Sequence, residues 1–90
     1  MLKTTQRQMG KLQAIIYDFE EVGDILPMHT HGDDDNHITM INQGSFKVIT
    51  NAYETVLKAG QIADWNAGEP HEFIALEPNS RFVNIIKGAA

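Results

Sequence analysis

Three of the four histidines of this chain fall in the stretch PMHTHGDDDNHITMINQG, residues 27–44. His29 and His31 are two residues apart, and on a strand that spacing sends both side chains to the same face. Two imidazoles on one face can hold a metal ion that takes further ligands from another strand. His37 and His71 are the other histidines of the chain. The histidine pattern therefore predicts a metal site, although a histidine at a strand end is also commonly solvated or hydrogen-bonded.

Three consecutive aspartates, residues 33–35, separate His31 from His37. Consecutive acidic residues in a turn are usually solvated, and the spacing of a calcium-binding EF-hand loop is missing. Asp33 or Asp35 could still accept a hydrogen bond from an imidazole N–H and so fix its tautomer. We expect a solvated acidic turn with this possible second role.

Composition restricts both the ligands and the partners. Cysteine is absent, so any metal must be held by His, Asp or Glu. The net charge of −5 would repel phosphate backbones, and nucleic acid is not an expected partner. No apolar run approaches the ~18 residues of a membrane helix, and the opening MLKTTQRQMGKLQ lacks the hydrophobic segment of a secretory signal. We expect a cytoplasmic protein that does not bind membranes.

Short runs of β-branched and aromatic residues alternate with turn residues along the chain, which predicts an all-β fold. Strands are expected at 12–19, 24–30, 37–41, 45–50, 54–59, 61–65, 71–76 and 81–87. The sequence thus predicts one β-domain at 12–90. The preceding arm, 1–11, is expected to be partly flexible or to pair with the sheet edge of a neighbouring subunit.

The spacing of glycines and histidines resembles the two motifs of the cupin family. In the first motif, Gly23 is followed after five residues by His29 and His31, and His37 stands six residues before Gly44. The second motif begins at Gly60, continues after five residues as Asn66-Ala67-Gly68, and reaches His71 two residues later. The resemblance covers residues 23–75 and implies a double-stranded β-helix, the jelly-roll barrel of cupins.

The resemblance also implies a metal site, with three departures from the family pattern. His37 occupies the position of the usual Glu ligand, Asn66 that of a proline, and Ala75 that of an asparagine. Counting back from Gly44 makes His37 the third ligand, whereas counting forward from His31 reaches Asp35. The backward count crosses a strand, where a one-residue slip reverses the face, so His37 is preferred and Asp35 stays the alternative.

Strand alternation from the ligands divides the neighbouring residues between two faces. Thr39, Ile41, Phe73 and Ala75 should point inward. Thr39, Phe46 and Phe73 are expected to line an apolar pocket for a small organic molecule, together with Met28, while Trp65 and Tyr17 fit ordinary core packing. The outward residues are apolar, namely Ile38, Met40, Ile74 and Leu76. They should pack under the N-terminal strand or against a second subunit, so we expect a homodimer. The alternative is that they cover a second sheet of the same chain.

Four imidazoles suit iron best, with nickel, zinc, copper and manganese as further candidates for the divalent ion. Cupins include dioxygenases, other enzymes and non-catalytic binders, and the fold does not choose among them. We expect a metal-dependent enzyme with oxygenase-type chemistry on a small organic substrate. The alternative is a non-catalytic module that binds a metal or a small ligand. Arg81 is the one basic residue that is a candidate to bind a substrate carboxylate.

Overall fold

The computed structural model describes residues 1–29, 37–65 and 69–87, and for His29, His37 and Lys87 it describes the backbone alone. Within these ranges the chain forms β-strands and no helix. The strands are β1 (Leu2–Met9), β2 (Leu12–Phe19), β3 (Ile25–His29), β4 (His37–Gln43), β5 (Ser45–Thr50), β6 (Glu54–Lys58), β7 (Ile62–Trp65), β8 (His71–Ala75) and β9 (Ser80–Lys87).

The strands form two antiparallel sheets. The five-stranded sheet has the order β1-β2-β9-β4-β7, and the four-stranded sheet has the order β3-β8-β5-β6. Consecutive strands often lie in different sheets, so the chain crosses between them as in a jelly roll. The predicted all-β fold class is confirmed, with eight strands close to their expected positions.

An aromatic cluster between the sheets forms the core. Phe19 and Phe82 come from the five-stranded sheet, Phe46 and Phe73 come from the four-stranded sheet, and all four are fully buried. Phe73 stacks on Phe82 with ring centroids 4.3 Å apart. Burying a side chain of this size stabilises the fold by about 1.5–3 kcal/mol. The cluster therefore holds the two sheets together.

Side chains alternate across the sheets as expected. Thr39 and Ile41 are buried on β4, whereas Ile38 is 45% exposed and Met40 is half-buried. The same alternation on β8 buries Phe73 and Ala75 and leaves Ile74 half-buried. Leu76, just after β8, is 41% exposed. The predicted faces of these residues are confirmed.

The N-terminal segment runs as β1, antiparallel to β2, from the pair Leu2–Phe19 to the pair Met9–Leu12. This strand lies at one edge of the five-stranded sheet, with β9 and β2 between it and β4. It therefore does not cover Ile38 or Met40.

Across the described ranges there is no helix long and apolar enough to cross a membrane.

Three glycines of the cupin-like motifs, Gly23, Gly44 and Gly60, have positive φ angles, and the last two differ in what surrounds them. Gly44, between β4 and β5, has φ 76°, and Gly60, before β7, has φ 92°. A Cβ atom on Gly44 would collide with the side chain of Ser80, whereas a Cβ atom on Gly60 would meet nothing within 4 Å. Gly44 is thus restricted by both its conformation and its packing, and Gly60 by its conformation alone.

Replacing these glycines by alanine should separate the two restrictions. Gly60→Ala should lower the free energy of unfolding by about 1–2 kcal/mol, the cost of a left-handed conformation for an L-residue. Gly44→Ala should cost about 1–3 kcal/mol more, because Ser80 and its backbone must also move. Urea denaturation of both variants measures the difference. Equal losses would show that the contact with Ser80 does not restrict position 44.

Candidate metal centre and barrel interior

His71 begins β8 and is fully buried inside the barrel. β8 lies between β3 and β5, so the backbone of His71 is paired with His29 on one side and with Thr50 on the other. Two of the four histidines predicted as ligands therefore occupy directly opposed positions of one antiparallel ladder.

A bulge in β3 produces this opposition. Leu26 pairs with Phe73, but the next pair is His29 with His71, so the register shifts between Leu26 and His29. Without the extra residue the strand would continue in register, and Met28 would be paired with His71 in place of His29. Met28 is instead 43% exposed. The expectation that Met28 lines the pocket is wrong, because the bulge reverses the parity of the strand.

The ring of His71 is held in one tautomer. Its Nδ1 lies 3.0 Å from the backbone carbonyl oxygen of Glu69. A carbonyl oxygen only accepts hydrogen bonds, so Nδ1 carries the proton and donates, and in the neutral ring the lone pair is then on Nε2. Metal-binding histidines usually donate their second N–H to a carbonyl or carboxylate in this way. The chemistry of this residue fits a metal ligand.

Trp65 forms a wall beside His71. It is 3% exposed, and its ring is stacked on the imidazole with centroids 4.7 Å apart and planes at 28°. Trp65 ends β7 and is paired with His37 across the β4–β7 ladder. The stack therefore joins the two sheets beside the backbone positions of His29 and His37. From the sequence alone, Trp65 fits ordinary core packing better than a place in the pocket wall.

A chain of buried hydrogen bonds begins at Trp65. Its Nε1 donates to Thr39 Oγ1 over 2.7 Å, and Thr39 Oγ1 donates to Asn84 Oδ1 over 2.5 Å. Thr39 and Asn84 are both fully buried. Among the residues that the structure describes, the Nδ2 of Asn84 is buried without a hydrogen-bond partner. The barrel interior thus contains an oriented polar chain with a donor at its end.

Asn84 was missed by the sequence analysis, although a signal was present. In the strand RFVNIIK, residues 81–87, Asn84 is two residues from Phe82 and therefore on the same face. A polar residue on the core face of a strand needs a partner, because burying an amide without a hydrogen bond is costly. An asparagine on the core face of a strand therefore indicates a structural or functional role for Asn84.

Phe73 and Phe46 differ in their relation to His71. Phe73 packs edge-on against His71 and Trp65, with centroid distances of 5.7 and 6.0 Å. Phe46 packs against Phe19 at 4.8 Å and Phe82 at 5.2 Å, further into the core. Phe73 therefore contributes to the apolar wall around His71.

Arg81 lies at the other end of the barrel. It follows Ser80, the first residue of β9, which is paired with Phe19. The opposite end of β9 contains Ile86, which is paired with His37. Its Nε donates to Asp18 Oδ1 over 2.6 Å, and this hydrogen bond and the charge of Asp18 raise the pKa of Arg81. Arg81 lines a separate groove of about 400 Å³ together with Asp18 and Lys3. It is not positioned to clamp a substrate beside His71.

Part of the predicted site lies outside the described residues. His31, Asp33 and Asp35 fall in the segment 30–36, and for His29 and His37 only the backbone is described. Within the described part of the chain, no group of three or more His, Cys, Asp or Glu side chains could hold a metal ion. The four-histidine ligand set, and the choice between His37 and Asp35, remain predictions.

Solved structures with the same architecture identify the fold. KdgF from Halomonas sp. superposes with a TM-score of 0.85 at 21% identity, over 99% of this chain and 80% of that protein. An RmlC-like cupin protein from Desulfovibrio desulfuricans gives a TM-score of 0.84 at 14% identity, over 96% and 81% of the two chains. The chain has the cupin fold. A cupin 2 conserved barrel domain protein from Salinispora arenicola is also similar, with a TM-score of 0.81, 12% identity and coverage of 98% and 76%.

No family model and no curated protein sequence matches this chain. The likeness to cupins is therefore one of fold and not of overall sequence. The cupin barrel places the motif residues at strand ends, with His29 closing β3, His37 opening β4 and His71 opening β8. Ala75, which replaces the family's asparagine, is 1% exposed in the core. Asn66 and Gly68 of the second motif lie outside the described residues.

Removing the hydroxyl of Thr39 should destabilise the protein strongly. Thr39→Val keeps the shape of the side chain but leaves Trp65 Nε1 and Asn84 Oδ1 without their buried partner, at about 1–3 kcal/mol for each group. Urea denaturation should therefore give a loss of about 2–6 kcal/mol. The control is Thr5→Val on the exposed strand β1, which should change stability by less than about 0.5 kcal/mol. A loss at position 39 no larger than at position 5 would contradict the hydrogen-bond chain.

Proposed function

We propose that this cupin binds one divalent transition metal through His29, His31, His37 and His71 and uses it to act on a small organic molecule. The observation that carries the proposal is the buried His71 ring, whose Nδ1–H is bound to the Glu69 carbonyl so that the lone pair is on Nε2. The ladder supports it, because His29 is directly opposite His71.

The donor set favours iron, with nickel, zinc, copper and manganese as further candidates. Because four neutral imidazoles leave a divalent ion its full positive charge, the bound metal would supply a strong Lewis acid for a substrate oxygen. If Asp35 replaced His37 as a ligand, its negative charge would offset part of the charge of the ion and so lower its Lewis acidity.

The residues around His71 would prepare the site for such chemistry. Trp65 and Phe73 cover the imidazole and exclude water from that side. Thr39 fixes the indole through its hydrogen bond to Nε1. The buried Nδ2 of Asn84 is a donor suited to an oxygen atom of a bound substrate. Together these groups would bind a small molecule that is mostly apolar and carries one or two oxygen atoms.

The reaction that we propose is of the oxygenase type, on a small enolisable or diketone-like substrate. We also propose that the protein works in the cytoplasm and as a homodimer.

A non-catalytic metal- or ligand-binding module is the second candidate. One observation favours it: within the described residues, the buried polar side chains are Thr39, Ser45, Thr50, His71, Ser80 and Asn84. No carboxylate is among them, so this part of the barrel offers no buried Asp or Glu as a general base.

Metal analysis of purified protein tests the ligand set. The wild type should bind the ion stoichiometrically, and His71→Ala and His37→Ala should reduce it to a trace, because each removes an imidazole donor. Asp35→Ala is the matched control and should retain the metal. The opposite pattern, with metal retained by His37→Ala and lost by Asp35→Ala, would assign the third ligand to the carboxylate. Circular dichroism of each variant separates a lost ligand from a lost fold.

Oxygen consumption tests the reaction class. Protein with stoichiometric iron should consume dioxygen with some member of a panel of diketones and phenols, and His37→Ala should not. If the wild type carries iron and consumes no dioxygen with any compound, the oxygenase proposal fails. Binding of the same compounds, measured by calorimetry, would then support the non-catalytic module.

A further inference from the structure

The hydrogen-bond chain inside the barrel runs in one direction. The indole Nε1 of Trp65 can only donate, so the hydroxyl oxygen of Thr39, 2.7 Å away, must accept. The single hydroxyl proton of Thr39 is then available for Asn84, whose Oδ1 lies at 2.5 Å. That length is typical of an O–H···O hydrogen bond and shorter than an N–H···O bond usually is. The oxygen of the Asn84 amide therefore faces Thr39.

The amide nitrogen of Asn84 is consequently the end of the chain. An asparagine NH2 group only donates hydrogen bonds. Asn84 is fully buried, and its Nδ2 has no hydrogen-bond partner in the part of the chain that the structure describes. A buried amide donor without an acceptor is unfavourable. An acceptor atom of a bound molecule would satisfy this donor.

The side chains around Asn84 leave its donor in apolar surroundings. On the inner side of β9 the nearest positions are Phe82 and Ile86, two residues away in either direction. In β2, Asn84 is paired with the buried Ile15. In β4 it is paired with Thr39, whose hydroxyl proton already binds Oδ1. A hydrogen bond formed here is stronger than in water, because the local dielectric constant is low.

Asn84 also lies close to the level of the predicted metal ligands. On β4, His37 and Thr39 are two residues apart, and Thr39 is paired with Asn84. Two residues of a strand span about 7 Å. The backbone of His37 is paired in turn with Trp65, whose ring is stacked on His71. The buried donor is thus separated from the level of those ligands by about the length of a small molecule.

We propose that Asn84 determines which molecules this interior accepts, because its Nδ2 donates a hydrogen bond to a carbonyl or carboxylate oxygen of the substrate. Thr39 and Trp65 are positioning residues that hold the amide in this orientation. Carbonyl and carboxylate oxygens only accept, whereas an ammonium group only donates and is therefore rejected. The inference rests on the proposed function for the location of the substrate beside His71, and it names the substrate class as an oxygen acceptor.

Nuclear magnetic resonance of the side-chain amides tests this contact. Loss of two Nδ2–H signals in Asn84→Leu assigns them. The probes are cyclopentanone and methylenecyclopentane, which have the same shape, although only the ketone carries an acceptor oxygen. Cyclopentanone should shift the Asn84 signals and bind about tenfold more tightly than methylenecyclopentane, because only the ketone satisfies the donor. Cyclopentylamine, a cation at neutral pH, should shift neither signal.

Variants separate recognition from positioning. Asn84→Leu should bind the ketone and its methylene analogue within about twofold of each other, since the donor is gone. Thr39→Ser keeps the hydroxyl and should retain the tenfold preference, whereas Thr39→Val frees the amide to turn and should lose most of it. The control signal is the side-chain amide of Asn51, which is exposed in the turn after β5 and should not shift. Circular dichroism checks that each variant is folded.

The titrations use the full chain, once with zinc added and once after treatment with a chelator. A shift of the Asn84 signals by the ketone in either sample supports the inference, even where metal analysis has refuted the ligand set. A protein that binds metal but shows the shift in neither sample keeps the proposed ligand set and overturns the inference alone. Equal binding of the ketone and methylenecyclopentane by the wild type, or binding of neither, would overturn it as well.

Discussion

The alternation of side chains along antiparallel strands determines which residues of this barrel meet. Residues two apart share a face, and residues opposed across a ladder share it as well. Phe19, Phe46 and Phe73 meet between the sheets for this reason. The same rule collects Val83, Ile85 and Ile38 on the outside. A shift of one residue in any strand would exchange a core residue for a solvent-facing one.

The bulge in β3 interrupts this alternation at the candidate metal centre. Leu26 faces the core opposite Phe73, and strict alternation would continue with Met28. The extra residue exposes Met28 and pairs His29 with His71 instead. One local irregularity therefore puts His29, a predicted ligand, where strict alternation would put a core residue; bulges are common beside functional sites.

Buried polar groups require a stricter arrangement than the aromatic core does. The indole of Trp65, the hydroxyl of Thr39 and the amide of Asn84 come from three different strands of the five-stranded sheet. Each hydrogen bond removes the cost of a buried donor or acceptor. Because Trp65 is also stacked on His71, the polar chain keeps that ring in place. The order of the five-stranded sheet is thus linked to the geometry of the site.

The sequence by itself determined the all-β class, the positions of eight strands, the inward and outward residues of β4 and β8, and the resemblance to cupins. These follow from local patterns, namely the two-residue period, the turn glycines and the motif spacing. It did not indicate β1, because LKTTQRQM lacks apolar alternation and pairs along its whole length with β2. Nor did it indicate the bulge, the stack of Trp65 on His71 or the bond from Thr39 to Asn84. Those contacts join residues that are six to 45 positions apart, and only the packing of the sheets decides them.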